Sequence, residues 1–242
     1  MSFRILALTL LLVLPAHAAD LVTRPGAVGH RDFKRAKQVL PRVYAGLEQT
    51  LYCGCRYEGK RIDFSSCDYR VRKDERRGSR QEWEHVVPAW NIGHQRQCWK
   101  QGGRKHCTAT DPVFRKAEGD LVNLVPEIGE INADRSNFRY GVWVDDPVPM
   151  YGQCKTVVDF RQRRIQPRQA VRGRIARIQM YMAATYGLRL SPLERRIFCT
   201  WARAYPVDAW ERERERRIVR IQGTGNRFVT DPGLREKFCA PA

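Results

Sequence analysis

The run Glu82-Trp-Glu-His-Val-Val-Pro-Ala89 sets a histidine directly beside a carboxylate. An imidazole exchanges protons near neutral pH, so His85 can act as a general base, and Glu84 can ligate a hard cation. Hydrolysing a phosphodiester requires a deprotonated water, neutralisation of the charge building on the phosphate, and stabilisation of the leaving oxygen. A divalent cation bound through a carboxylate and an amide oxygen supplies the last two and keeps waters in its remaining positions. His85 as base, Glu84 and Asn123 as ligands and Arg104 as a phosphate clamp would complete that set. One geometric condition applies. Adjacent residues of a strand face opposite ways, so Glu84 and His85 share a site only at a strand end or irregular turn, and Pro88 favours a strand end.

The elements that must hold these residues are readable in outline. Residues 31–48 carry helical spacing (Phe33, Ala36, Val39, Leu40, Val43, Leu47), with Pro41 expected to kink or split the helix. Short strands are expected at 51–53, 62–64 and 84–87, and a short helix between Pro88 and Cys98. Asp111-Pro112 is a cap followed by a first-turn proline, predicting a helix to about Asn123 that Pro126 stops. Another strand is expected within 151–160. Beyond Pro167 the pattern is helical, with a capping box at Ser191–Glu194 and a similar start at Asp208–Glu211. Two basic segments need a reading. The alternating charges of 211–217 suggest a solvated face. Arg168, Arg172 and Arg177 fit either a phosphate-facing stripe or a plain solvated face. Helix, mixed strands and then helices, with no visible linker, predict one α+β domain.

The chain has 242 residues and a formal charge of +18, with 44 Lys and Arg of which 35 are Arg. Arginine's planar fork suits phosphate and carboxylate, so the excess points to a polyanionic partner. With 43% hydrophobic and 10% aromatic residues, the chain is neither a disordered basic tail nor a low-complexity protein. Residues 1–19 read as a cleaved export signal: Arg4, an apolar run from Ile5 to Leu14, and Ala16-His-Ala18. The apolar run is about half the roughly 20 residues a membrane-spanning helix needs. Residues 20–242 then form the mature domain, soluble, periplasmic or secreted, and without a membrane partner. All eight cysteines lie in that part, which predicts up to four disulfides. Cys98 and Cys107 are expected to close a short loop bent at Gly102-Gly103. The competing reading makes Cys98, His106 and Cys107 zinc ligands, but Cys53-x-Cys55 lacks the spacing of zinc ribbons.

The string from Glu82 to Trp90 resembles the signature of the bacterial endonuclease I family of periplasmic or secreted nonspecific nucleases. The resemblance continues through 93–99, 102–105, Asp111-Pro, Asn123-Leu, Gly129-Glu-Ile-Asn132 and Tyr151-Gly-Gln-Cys154. It runs from about Tyr52-Cys-Gly-Cys55 to the helices around Trp210, most of the mature chain. It implies a ββα-metal finger with additional C-terminal helices, Mg²⁺ (or another hard cation such as Mn²⁺), and cleavage of DNA and RNA held mainly by the phosphate backbone. It also implies 5′-phosphate products. Carried over, the general base falls on His85, the metal ligands on Glu84 and Asn123, and the arginine beside the phosphate on Arg104. The chain departs from the family at Val122, where a His is common, and at Arg212, where a Cys is usual. Cys199 is expected to compensate by bonding Cys239.

Three functions fit the residues. The first is an exported metal-dependent endonuclease acting as a monomer. The second is a noncatalytic cationic binder of nucleic acid or other anionic polymers, which leaves Glu84-His85 without a role. The third is a metal-independent secreted ribonuclease.

Overall fold

The computed structural model describes residues 30–241, so the expected signal segment lies outside the described residues. At the centre, strand β3 (Gln81–His85) pairs antiparallel with β4 (Leu124–Ile128), with His85 opposite Leu124 and Glu84 opposite Val125. Helix α6 (Gly129–Arg135) follows β4 at once and packs against both strands. These three elements form a ββα unit. Every residue of β4 is buried. Pro126 does not stop a helix; it lies inside β4, opposite Trp83. The Val86 N–H to Asn123 carbonyl bond and the Gly129 N–H to Arg80 carbonyl bond fix the ladder's phase. Trp83–Pro126 is then a non-hydrogen-bonded pair, so the missing proline N–H costs the ladder nothing.

The connection from β3 to β4 carries α3 (Ala89–Gly93), α4 (Gln97–Thr110) and α5 (Pro112–Glu118). The helix opened by Asp111 ends at Glu118, and Asn123 stands beyond it in a 3₁₀ turn, Leu121–Asn123. Asp111 caps α5 as its sequence predicts, accepting from the N–H groups of Val113 and Phe114. Helix α4 is broken at Gly102-Gly103, where Gly103 takes φ +65°, a conformation that favours glycine. The Cys98–Cys107 disulfide closes that bend.

The first helix, α1 (Phe33–Tyr44), runs through Pro41 without splitting. Pro41 is exposed, so the carbonyl it leaves unpaired can turn to water. Residues 51–53 form a turn rather than a strand. A hairpin of β1 (Tyr57–Glu58) and β2 (Arg61–Ile62) precedes the short helix α2 (Glu75–Gly78). A small sheet orders β5 (Arg139–Tyr140), β7 (Arg164–Gln166) and β6 (Val157–Asp159), with β5 and β7 parallel. The strand expected within 151–160 is thus only its last part.

The C-terminal third is helical: α7 (Gln169–Tyr186), α8 (Pro192–Ala204), α9 (Ala209–Gln222), α10 (Arg227–Thr230) and α11 (Pro232–Cys239). Ser191 and Glu194 complete the predicted capping box. The architecture is α+β.

The charge runs are divided between core and solvent: Arg212 and Arg216 are exposed, as a solvated face predicts, but other members of the runs are not. On α9, Glu211, Arg214 and Glu215 are buried. Arg214 donates to Tyr44 Oη (2.6 Å) and to the carbonyls of Leu121, Val122 and Leu124 (3.0, 2.8 and 3.2 Å). It thereby anchors the turn entering β4. Of the three arginines on the preceding segment, Arg172 and Arg177 are buried, Arg177 in a two-bond pair with Glu211 (2.8 and 2.5 Å). Arg168 donates to the Leu51 carbonyl at 3.1 Å. These arginines hold the fold, so neither the phosphate stripe nor the solvated face describes them.

Candidate active site

His85 ends β3, and its ring is buried against Phe33, 4.7 Å between centroids. Nε2 bonds the Glu118 backbone carbonyl at 2.9 Å. A carbonyl only accepts, so Nε2 carries the proton and donates, which leaves the lone pair of the neutral ring on Nδ1. Burial, reinforced by the positive charges of Arg104 and Arg135, pushes the imidazole's pKa down to about 3. The ring is therefore neutral across the physiological range, a free base with one nitrogen committed.

Arg104 follows the Gly102-Gly103 break directly and donates through Nε to Glu118 Oε1 at 2.5 Å. Its side chain is 48% exposed, so the terminal Nη groups are the ones an incoming anion would meet. Thr108 Oγ1 donates to the other Glu118 oxygen at 2.9 Å. One residue thus orients both groups: the backbone of Glu118 sets His85 and its side chain sets Arg104. Sequence reasoning missed Glu118. A signal existed, since an acid in the last turn of a helix opposes the helix dipole and needs another reason to be there.

Glu84 leaves the strand towards other partners. The residue is 3% exposed, and its Oε1 accepts from Tyr52 Oη and Arg135 Nη1, each at 3.0 Å. Burial outweighs the attraction of Arg135 and pushes its pKa up to about 7. Tyr52 is held by further contacts, including an Oη–Oη hydrogen bond with Tyr140 at 2.7 Å. Its N–H donates to Glu127 Oε2 (2.6 Å), its carbonyl accepts from Thr156 Oγ1 (2.7 Å), and Cys53 beside it is bonded to Cys154.

Asn123 does not join Glu84. It is fully buried, and both ends of its carboxamide are spent on Val87: Oδ1 accepts from the N–H at 2.7 Å, and Nδ2 donates to the carbonyl at 2.9 Å. It clamps the turn after β3, a role for which the full amide is used. The helix of the ββα unit is α6, after β4, and the Asp111-capped helix ends at Glu118 without reaching Asn123, contrary to the expectation that it carries that residue. The asparagine on α6 is Asn132. It is only partly buried, and its Nδ2 donates to Glu82 Oε2 at 3.0 Å, with no protein partner at Oδ1 among the described residues.

Among the described residues no three His, Cys, Asp or Glu side chains converge as a metal site. The zinc reading of Cys98, His106 and Cys107 fails because all eight cysteines are paired: 53–154, 55–67, 98–107 and 199–239. The predicted 98–107 and 199–239 bridges are both present. The buried Glu84 carboxylate on β3 and, on the helix packed against that strand, a carboxamide oxygen without a protein partner among the described residues are donor types that suit a hard cation keeping several waters.

The sequence profile of the family described as Endonuclease I matches residues 34–233. The chain belongs to the endonuclease I family. It is 49% identical over 216 residues to an extracellular deoxyribonuclease of Aeromonas hydrophila, covering 87% of this chain and 93% of that one. It is 46% identical over 229 residues to a periplasmic deoxyribonuclease of the same organism, covering 93% and 92%. An endonuclease-1 of Buchnera aphidicola is 44% identical over 202 residues, 82% of this chain and 80% of that relative. No described helix of this endonuclease I family member is long and apolar enough to cross a membrane.

Proposed function

We propose that this chain is an exported, sequence-nonspecific endonuclease that hydrolyses DNA, and RNA as well, with one divalent cation, Mg²⁺ or Mn²⁺. The observation that carries this is the state of His85: a neutral ring whose Nε2–H is fixed on Glu118, leaving Nδ1 as a free base. Glu84 and Asn132 would hold the cation, with Asn132 replacing Asn123 in that role because the amide of Asn123 is wholly committed to Val87. When bound, the cation would neutralise charge on the phosphate and stabilise the leaving oxygen.

The chain's own residues do the rest. His85 Nδ1 takes a proton from water, and the resulting hydroxide forms a bond to phosphorus. The bond from phosphorus to the 3′ oxygen breaks, the 3′ oxygen takes a proton from solvent, and a 5′-phosphate end remains. Arg104 steadies the phosphate through its Nη groups while Nε stays on Glu118. Deletion of a general base costs about a hundredfold to ten-thousandfold in rate. His85→Ala is expected to lose plasmid cleavage by that factor with its fold kept, as judged by circular dichroism. Wild-type cutting should stop with chelator. Retained cutting by His85→Ala would refute the base assignment. No cutting by the wild type would favour a cationic binder, and chelator-resistant cutting of RNA alone a ribonuclease.

A further inference from the structure

We infer that Glu82 is a positioning residue for the cation site, turning the carboxamide of Asn132 so that Oδ1 rather than Nδ2 is offered to the cation. This rests on the reading of Glu84 and Asn132 as ligands. Glu82 stands two residues before Glu84 on β3, and Asn132 and Arg135, one turn apart on α6, meet the two acids in the same order. The Glu82 carboxylate is enclosed by donors. Arg77 donates through Nε at 3.2 Å and Nη2 at 2.5 Å, Arg80 through Nε at 2.9 Å and Nη2 at 2.6 Å, and Asn132 through Nδ2 at 3.0 Å.

A carboxylate between two guanidinium groups is an acceptor only, so it can face only the NH₂ end of a carboxamide. The two ends of an asparagine amide have nearly the same shape, and the wrong flip would aim N–H groups at a cation. Packing alone would not forbid that flip; an acceptor-only neighbour does. The approach is close enough to enforce it. A Cβ on Gly129, the first residue of α6, would lie 2.8 Å from the Arg77 carbonyl and 2.8 Å from Glu82 Oε1, so α6 begins hard against this carboxylate.

The test is Mn²⁺ affinity, measured by electron paramagnetic resonance on the full protein without substrate, for wild type, Glu82→Gln, Asn132→Asp and the double variant. Loss of a residue that orients a metal ligand weakens metal binding about 10- to 100-fold, and Glu82→Gln should fall in that range. An Asp at 132 has oxygen at both ends and no flip to set. Adding Glu82→Gln to it should therefore leave affinity unchanged, or raise it by removing a like charge. Equal loss in both backgrounds, or no loss in the single variant, overturns the proposal and leaves Glu82 a structural tie. Asn132→Ala and Glu84→Gln separate the premise: if neither weakens Mn²⁺ binding, the ligand assignment itself fails. Should Glu82→Gln not fold, the Asn132 NH₂ protons of the Mg²⁺-loaded wild type decide. Slow exchange with solvent supports the inference, and exchange like that of a free side chain overturns it.

Discussion

Two buried titratable side chains of β3 are displaced in opposite senses, and the difference separates their roles. His85 is held down near 3 and Glu84 up near 7. Above pH 4 the histidine is already a free base, so its titration should leave no mark on the activity profile. On the proposed reading Glu84 binds the cation as a carboxylate, so proton and metal would compete for it. The acid limb of activity should lie near pH 7 at low Mg²⁺ and move to lower pH as Mg²⁺ is raised. Rate profiles at several Mg²⁺ concentrations check this, and a limb that stays fixed would assign it to another group. The effect on folding runs the opposite way for Glu84. Its folded pKa is raised above the ordinary 4.5, so its contribution to the metal-free protein is complete below that value and is lost as pH rises through 7. His85 acts in reverse: its folded value lies below the ordinary 6.5, and stability falls as pH drops from there towards 3.

At the scale of elements, the site depends on contacts between segments far apart in the chain. Arg214 on α9 satisfies three carbonyls around the turn entering β4, and Tyr44 of α1 as well. Its truncation strands the Val122 carbonyl in the interior and removes one of two donors from the carbonyls of Leu121 and Leu124, and hydrogen bonds to a charged group contribute about 1.5–3 kcal/mol each. Arg214→Ala is expected to lose about 3 kcal/mol or more of unfolding free energy in urea titration. An unchanged midpoint would return this helix to the solvated reading its alternating charges suggest. The Cys53–Cys154 bridge spans 101 residues and holds the turn that delivers Tyr52 to Glu84. A loop of about 100 residues is worth about 4.7 kcal/mol in the chain-entropy account. Reduction under native conditions should therefore abolish cleavage, keeping the enzyme inert in a reducing cytosol. Full activity with all thiols titratable would contradict this.

Over the whole molecule, the net charge overstates the grip on a polyanion. Arg135, Arg177 and Arg214 are buried in the fold, and others are tied to carboxylates. The exposed remainder can still hold a phosphate backbone, with a log–log salt slope of about −0.9 per phosphate neutralised on duplex DNA. The Michaelis constant for plasmid is expected to rise with NaCl at a slope corresponding to several phosphates, about four or more, while the turnover number changes little. A salt-independent constant would mean recognition by something other than backbone charge. Much of the architecture was legible at this scale. The α+β class, the helical C-terminal third and the family resemblance all follow from residue order, whereas the partition of charges between surface and core does not.

What the sequence by itself determined is whatever depends on near neighbours. The Asp111 cap, the Ser191–Glu194 box and the Cys98–Cys107 loop are closed by residues within a few turns of one another, and His85 stood out by its immediate company. What only the tertiary structure decided is what a distant partner must complete. Residues 81–85 pair with 124–128 across three intervening helices, and that pairing turns a proline expected to stop a helix into part of a ladder. It also places α6, and with it Asn132, beside Glu82, while Asn123 is closed onto Val87. An asparagine reads the same in sequence whether its amide clamps a backbone turn or keeps an oxygen free. Hydrogen-bond partners that are remote in the chain decide which, and folding supplies them.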